Sequence, residues 1–315
     1  EKITFSYYQA PVEVTLTVTD DTAGVQRFDY SALLNENVSG VNAGIDGATA
    51  TDVKQEGKTF TVTFKVPAEA LTNKNQFNGY VEFTATDWSA NTSAKKSHKE
   101  EQSLVVDNIA PKATITYNAP VQTVDKVAYY NQEITAIIAI DEANFFSEDV
   151  QVTVTRDGVN HPVNVKWTKA NGDVHNGTFT LTQDGDYIIK VTYTDRSGNV
   201  MTEYTSHQLT LDTVLPTVEV TNVVANSANT DEVYTFDITA SDINIDMASF
   251  KPVLTGIFRD EDGKFYTETI DLGDIKVVKE KETYTFTVEN LEEDAVYSLT
   301  CSVSDLAGNS YEKMM

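Results

Sequence analysis

Asp-Arg-Ser-Gly-Asn at residues 195–199 is the stretch that decides the fold, because it occurs three times in closely similar form. Asp-Trp-Ser-Ala-Asn occupies residues 87–91, and Asp-Leu-Ala-Gly-Asn occupies residues 305–309. The leading aspartates are 108 and 110 residues apart. A sequence element that returns at a constant interval is the signature of a tandem repeat, so we expect a series of similar modules.

A second element keeps nearly the same interval. Val-Asp-Asn-Ile-Ala-Pro at residues 106–111 returns as Leu-Asp-Thr-Val-Leu-Pro at residues 211–216, which places Asp107 and Asp212 105 residues apart. Two unrelated elements with one period predict three modules, and each is long enough to form its own core. The predicted boundaries are 1–107 (module 1), 108–212 (module 2) and 213–315 (module 3). Six residues follow Asn309, so we expect the last strand to be short.

Alternating apolar residues predict β-strands throughout each module. The clearest examples are Val12–Val18, Thr59–Val66, Ile134–Ile140, Tyr187–Tyr193 and Tyr297–Val303. The alternation fades between residues 32 and 56, where we expect irregular loops or a weak strand. About seven short strands per module favour an all-β fold of three tandem immunoglobulin-like β-sandwich domains in an extended array. A jelly roll is the alternative.

Two tyrosines support the immunoglobulin-like interpretation. Tyr187 and Tyr297 each lie eight residues before the aspartate of their turn, near the start of the sixth strand, where a tyrosine corner is expected. Tyr80 lies seven residues before Asp87, so the register of module 1 is shifted. The chain has one cysteine, Cys301, and therefore no internal disulfide.

The linker Asp-x-x-x-Pro and the turn Asp-x-x-Gly-Asn resemble the tandem bacterial Ig-like (Big-type) repeats of cell-surface proteins and adhesins. The resemblance covers all three modules. It implies an extracellular stalk or adhesin segment at the cell surface, with an anchor outside this sequence. In some members of this family calcium stiffens the junctions between modules, and the repeats do not indicate a particular ligand.

The charge of the chain limits its partners. A formal net charge of −25 argues against nucleic acid and against an anionic membrane surface, since both require a basic face. No apolar stretch is long enough to cross a bilayer, so we expect no membrane insertion. We expect a monomer. The excess of carboxylates is either a self-repelling exterior or a set of cation ligands.

Acidic residues at strand ends predict where cations would bind. In an immunoglobulin-like sandwich the loop after the second strand, the loop after the sixth strand and the entry to the first strand lie at one end. Modules 2 and 3 carry acids at all three places, and the predicted calcium ligands are Asp107, Asp141, Glu142 and Asp195 at one junction and Asp212, Asp242 and Asp305 at the other. A hard cation that accepts six to eight oxygens would suit such a group.

The same aspartates have a second interpretation, which remains open. Asp and Asn side chains in turns accept hydrogen bonds from nearby backbone amides, and glycine supplies the left-handed conformation that such turns require. Three such turns require no metal.

The sequence offers no catalytic set. The four histidines lie in polar, loop-like segments, and Cys301 lies on the inward face of a strand, where a small core residue is expected. We predict a non-catalytic stalk or adhesin segment that spaces or presents a binding region. The alternatives are a module that binds a host surface protein or glycan, and an accessory region of a secreted carbohydrate-active enzyme. The aromatic pairs Tyr7-Tyr8, Tyr129-Tyr130 and Phe145-Phe146 each place at least one ring off the core face, and we expect edge or junction contacts there rather than sugar stacking.

Overall fold

The computed structural model describes residues 4–35, 44–68, 76–99, 102–222, 224–228, 236–270, 277–280, 283–288 and 295–315. These residues form six β-sheets, and the only helical element among them is a 3₁₀ turn at Ser147–Asp149. Three separate hydrophobic cores lie within residues 12–106, 113–211 and 218–303, so each core belongs to one predicted module.

The described residues of module 1 form nine strands in two sheets. They are β1 (Thr4–Tyr8), β2 (Val12–Thr19), β3 (Val25–Leu34), β4 (Ile45–Ala50), β5 (Lys54–Glu56), β6 (Thr59–Val66), β7 (Phe77–Asp87), β8 (Lys96–Ser97) and β9 (Gln102–Val106). One sheet has the order β1-β9-β7-β3-β4, with β8 beside β7, and the other has the order β2-β6-β5.

Module 2 contains eleven strands. They are β10 (Lys112–Tyr117), β11 (Gln122–Val124), β12 (Val127–Tyr130), β13 (Ile134–Asp141), β14 (Val150–Arg156), β15 (Val159–Asn160), β16 (Lys166–Lys169), β17 (Val174–Leu181), β18 (Gly185–Tyr193), β19 (Tyr204–Thr205) and β20 (Leu209–Leu211). The orders are β10-β13-β17-β16 and β11-β12-β20-β18-β14-β15, with β19 beside β18.

Module 3 repeats this plan with eight strands among its described residues. They are β21 (Thr217–Thr221), β22 (Phe236–Ser241), β23 (Ile245–Arg259), β24 (Phe265–Ile270), β25 (Val277–Glu280), β26 (Thr283–Val288), β27 (Val296–Asp305) and β28 (Ser310–Met314). The orders are β21-β22-β26-β25 and β24-β23-β27-β28.

The sheet order confirms the predicted fold class of tandem immunoglobulin-like sandwiches. The sheet β10-β13-β17-β16 has the order of strands A, B, E and D of an immunoglobulin domain, and β20-β18-β14 has the order G, F and C. The first strand is divided between the sheets, because β10 pairs antiparallel with β13 whereas β12 pairs parallel with β20.

The alternating strands follow the prediction closely. Ile134, Ile138 and Ile140 are fully buried on one face of β13, and Tyr187 and Ile189 are fully buried on β18. The weak stretch of module 1 contains two short strands, β4 and β5, whose side chains are mostly exposed. Exposed strands lack the apolar alternation that sequence analysis detects, and residues 36–43 lie outside the described part of the chain.

The tyrosine corner forms fully in module 2. The Tyr187 hydroxyl donates to the carbonyl of Gln183 and the residue is fully buried, whereas Tyr297 at the corresponding position of module 3 is half-buried. In module 1 the corner position is Gly79, which pairs with Leu104 as Tyr187 pairs with Leu209. A Cβ at Gly79 would lie 2.0 Å from the carbonyl oxygen of Leu33, so a tyrosine cannot occupy this position.

Candidate functional site at the module junctions

The repeated turn is closed by its own side chains. In module 2, Asp195 Oδ1 accepts from the Asn199 backbone amide and Asp195 Oδ2 from Asn199 Nδ2, both at 2.8 Å. Asp87 and Asn91 make the same pair of bonds, and so do Asp305 and Asn309. Turn chemistry therefore accounts for the Asp and the Asn of the repeat without any ligand.

The fourth position of the turn has a left-handed backbone. Gly198 has a φ of +92° and Gly308 a φ of +88°. Module 1 has Ala90 at this position with a φ of 66°, a conformation that costs an L-residue about 1–2 kcal/mol. The glycines also accommodate the preceding module, because a Cβ on Gly308 would lie 2.8 Å from Val121 Cγ1.

At the first junction the linker aspartate, Asp107, is fully buried and bonded on every side. Its Oδ1 accepts from the Ile109 amide at 2.8 Å and from Gln76 Nε2 of module 1. Its Oδ2 accepts from Asn144 Nδ2 and its carbonyl from Asn199 Nδ2, both at 2.9 Å. The linker is thus bonded to module 1 and to two loops of module 2.

The second junction repeats this arrangement. Asp212 is buried, and its Oδ1 accepts from the Val214 amide at 3.0 Å. Its Oδ2 accepts from Asn244 Nδ2 at 3.0 Å, and its carbonyl from Asn309 Nδ2 at 2.9 Å. Three bonds to the linker aspartate therefore recur at corresponding positions of both junctions.

The structure brings six of the seven predicted calcium ligands together. Carboxylate oxygens of Asp107, Glu142 and Asp195 (the first junction group) lie within 4.8 Å of one another, as do those of Asp212, Asp242 and Asp305 (the second junction group). Five of these six side chains are buried, and that of Asp242 is half-buried.

The seventh predicted ligand, Asp141, lies outside the first junction group. It is exposed and pairs with Lys112 across the sheet. Side chains alternate between the faces of a strand, so the residue after the inward Ile140 points outward and the next, Glu142, points inward.

Burial and mutual repulsion act on these carboxyls. Desolvation, reinforced by the nearby Asp107 and Asp195, raises the pKa of Glu142 to about 8. Desolvation also raises the pKa of Asp107 and of Asp305. Each group thus contains at least one carboxyl whose charged form burial destabilises.

The donor set fits a hard cation. Each group presents carboxylate oxygens and no nitrogen or sulfur ligand, which is the chemistry of a calcium site. Several of these oxygens already accept amide hydrogen bonds, but a carboxylate oxygen has a second lone pair that can bind a cation.

Two asparagines that were not predicted as site residues, Asn144 and Asn244, hold the linker aspartates. Asn144 and Asn244 each lie two residues after an acid of the group, and the backbone amide of each donates to that acid, Glu142 or Asp242. The repeated pattern acid-x-Asn at residues 142–144 and 242–244 is the signal that could have revealed them.

Aromatic contacts add to the first junction. The rings of Tyr7 from module 1 and Phe146 from module 2 meet edge to face, with centroids 6.1 Å apart. The Arg196 guanidinium lies 3.4 Å from the centroid of the Phe146 ring and pairs with Glu148 and Asp149. Tyr7 and Phe146, which belong to two of the three aromatic pairs, thus lie in a junction contact, whereas Tyr130 of the third pair is buried in the core of module 2.

Three of the four histidines have structural partners. His98 Nδ1 bonds the backbone of Val81, His161 meets the edge of the Tyr187 ring, and His175 stacks on Phe145. No helix in the described part of the chain is long and apolar enough to cross a membrane.

No family model matches this sequence, and no curated protein matches it either. Comparison with solved structures finds series of Ig domains. An E-to-A variant of titin domains I67–I69 is 10% identical over 99% of this chain and 94% of that chain, with a TM-score of 0.41. The full ectodomain (Ig1–Ig3) of mouse nectin-like molecule 4 is 10% identical over 100% of this chain and 96% of that chain, with a TM-score of 0.35.

Proposed function

We propose that this chain is a non-catalytic spacer, an extracellular stalk or adhesin segment of a bacterial surface protein that holds a binding region away from its anchor. The observation that carries this proposal is the recurrence of the same three linker bonds at both junctions. A repeated junction transmits one geometry from module to module. The bacterial, extracellular setting rests on the resemblance of the linker and turn to Big-type repeats.

The linkers support limited rotation between modules. Five residues separate β9 from β10 and five separate β20 from β21, and each linker ends in a buried proline, Pro111 or Pro216. Proline fixes its own φ, and the aspartate at the other end of each linker is bonded to two loops of the following module. We therefore expect stiff junctions.

Small-angle scattering tests the spacer proposal. We expect an extended profile for the wild-type chain, and a more flexible profile for the double variant Asn199→Ala, Asn309→Ala, which loses the amide bonds to both linker carbonyls. The variant Asn91→Ala is the matched control, since it alters the same turn in module 1 and leaves both junctions intact. A compact wild-type profile would contradict the proposal.

Calcium at the junctions is the second part of the proposal. The first junction group would hold one ion, with Asp107, Glu142 and Asp195 as ligands, and Asp212, Asp242 and Asp305 would hold another. The fold brings these buried carboxylates together, and the ion would neutralise their charge. It would also stabilise the folded array by mass action.

Thermal melting with calcium and with chelator tests this part. We expect calcium to raise the midpoint, and Asp195→Ala or Asp305→Ala to reduce that rise. Asp87→Ala is the matched control: it removes the same turn bonds in module 1 but no member of either junction group, so the calcium response should persist. If millimolar calcium leaves the melting midpoint unchanged, these acids serve the turns alone.

A further inference from the structure

Side-chain amides of module 1 close the first junction. Asn35 Nδ2 donates to Asn78 Oδ1, and Asn78 Nδ2 donates in turn to Asn144 Oδ1 of module 2, both at 2.8 Å. Gln76 Nε2 donates to Asp107 Oδ1. The amides of Gln76 and Asn78 therefore reach the linker and a loop of the following module.

Carboxylates take the place of these amides at the second junction. The strand β18 pairs with β20 as β7 pairs with β9, and the Asp157 amide donates to the Asp186 carbonyl as the Asn35 amide donates to that of Asn78. By this correspondence Asp157, Asp184 and Asp186 occupy the places of Asn35, Gln76 and Asn78. A carboxylate accepts hydrogen bonds but cannot donate one.

The second junction consequently lacks the donors that close the first. The Asp212 carboxylate, in a residue that is 7% exposed, accepts from the Val214 amide and from Asn244 Nδ2. In the described part of the chain, no side chain of module 2 donates to this carboxylate or to Asn244 Oδ1. The corresponding atoms of the first junction both accept from module 1.

A cleft of about 560 Å³ lies where these donors are missing, and ligand pockets span roughly 300–1,000 Å³. Its acidic lining residues come from both modules: Asp157, Asp184, Asp186, Asp212 and Asp242. The described lining contains no lysine or arginine, and the neighbouring Arg156 lies 3.7 Å from Asp157. Hydroxyls of Thr213 and Thr210 donate to Asp184 and Asp186, but a hydroxyl leaves the negative charge in place.

Exposed apolar side chains lie beside these carboxylates. Val214, Leu215 and Ile243 line the cleft and are 58%, 53% and 75% exposed. Leu215 and Ile243 occupy the places that Ala110 and Ala143 have at the first junction, so the second junction presents more apolar surface. The cleft therefore combines an apolar contact surface with a strong negative charge.

We propose that this cleft binds an arginine side chain of a protein partner, in a segment where apolar residues flank the arginine. The planar guanidinium carries five N–H donors and a permanent positive charge. It donates to Asp184 and Asp186 and supplies the hydrogen bonds that Gln76 and Asn78 supply at the first junction. The flanking residues pack on Leu215 and Ile243. This site is independent of the spacer role and of calcium.

A blocked tripeptide with arginine between two leucines tests the site on the full 315-residue protein. Amide NMR follows binding in the presence of a calcium chelator, so that calcium does not compete for Asp212 and Asp242. We expect a Kd of about 1 mM or lower, with shift changes at the amides of Asp184, Asp186 and Val214. The same peptide with citrulline in place of arginine loses the charge and should bind at least about tenfold more weakly.

A double variant gives the second junction the residues of the first. Asp184→Gln with Asp186→Asn should weaken binding of the arginine peptide at least about tenfold, since the new amides supply the donors themselves. Its melting midpoint should not fall. The matched control, Asp125→Asn with Asp141→Asn, removes the same charge at exposed sites of module 2 outside the cleft, and binding should stay within about twofold.

Four outcomes would overturn the proposal. The first is no saturable shift change at the cleft up to about 5 mM peptide. The second is equal binding of the arginine and citrulline peptides, a comparison that uses the unaltered protein. The third is an equal loss of affinity in the two double variants, which would assign binding to the net charge alone. The fourth is a shift change at the same amides that follows protein concentration without peptide, which would assign the cleft to a second copy of this chain.

Discussion

The glycine at the fourth position of the junction turn gives a sharp test of how the modules meet. Gly198 and Gly308 occupy the same turn position with nearly the same φ, +92° and +88°. They differ in what the preceding module places against them. A Cβ on Gly198 would lie 3.2 Å from Nε2 of Gln9, whereas a Cβ on Gly308 would lie 2.8 Å from Cγ1 of Val121.

The magnitudes follow from two contributions to the free energy of unfolding. An L-residue at this φ lowers the free energy of unfolding by about 1–2 kcal/mol in either turn. The end of the flexible Gln9 side chain can turn away, at the cost of a 3.2 Å hydrogen bond to Asn199 worth about 1 kcal/mol or less. The branched Val121 side chain cannot withdraw its Cγ1 as easily, and overpacking of this kind costs about 1–3 kcal/mol more. We expect Gly308→Ala to lower the free energy of unfolding by about 2–5 kcal/mol.

A double-mutant cycle with Val121→Ala isolates the junction term. Val121 is 49% exposed, so its truncation alone should have a small effect. In the Gly308→Ala background the same truncation should restore about 1–3 kcal/mol. Scanning calorimetry can follow the transition of each module in the four proteins. A coupling energy below about 0.5 kcal/mol would refute the close contact between Val121 and the turn of module 3.

Three further predictions concern single positions. Ala90→Gly should raise the free energy of unfolding by about 0.5–1 kcal/mol, because relief of the left-handed strain exceeds the added entropy of the unfolded chain. A lower denaturation midpoint would contradict this. Tyr187→Phe should cost about 1 kcal/mol because the Gln183 carbonyl loses its donor, whereas Tyr311→Phe, at an exposed site, should change little in the same denaturation assay. Cys301 is buried, which raises the pKa of its thiol to about 11, so iodoacetamide at pH 8 should label it only after unfolding, and rapid labelling of the native protein would contradict its core position.

The strands that sequence predicts well are those with one buried face. Ile134 to Ile140 and Tyr187 to Tyr193 alternate because every second side chain enters the core. The strands that it misses are exposed or very short. β4 and β5 are mostly exposed, whereas β12 buries Ala128 and Tyr130 but has only four residues and follows two with positive φ, Asp125 and Lys126. Their pairing is set by neighbouring strands, and so their own composition carries little signal.

The placement of the acids was predictable because it depends on strand ends. Asp195 and Asp305 follow alternating strands, and strand direction alone sends both to one end of the sandwich. Strict alternation would also have excluded Asp141, which follows the inward Ile140. The roles of Asn144 and Asn244 depend on loop conformation, which no periodic pattern describes.

The turn interpretation and the calcium interpretation make different use of the same aspartates, and module 1 separates them. Asp87 makes the turn bonds that Asp195 makes. Asp195 differs in that carboxylate oxygens of Asp107 and Glu142 lie within 4.8 Å of its own carboxylate. Turn chemistry explains the shared bonds, but it does not require three buried carboxyls in one place. Because such a group costs free energy when all its members are charged, a further contribution, a cation or a retained proton, must offset that cost.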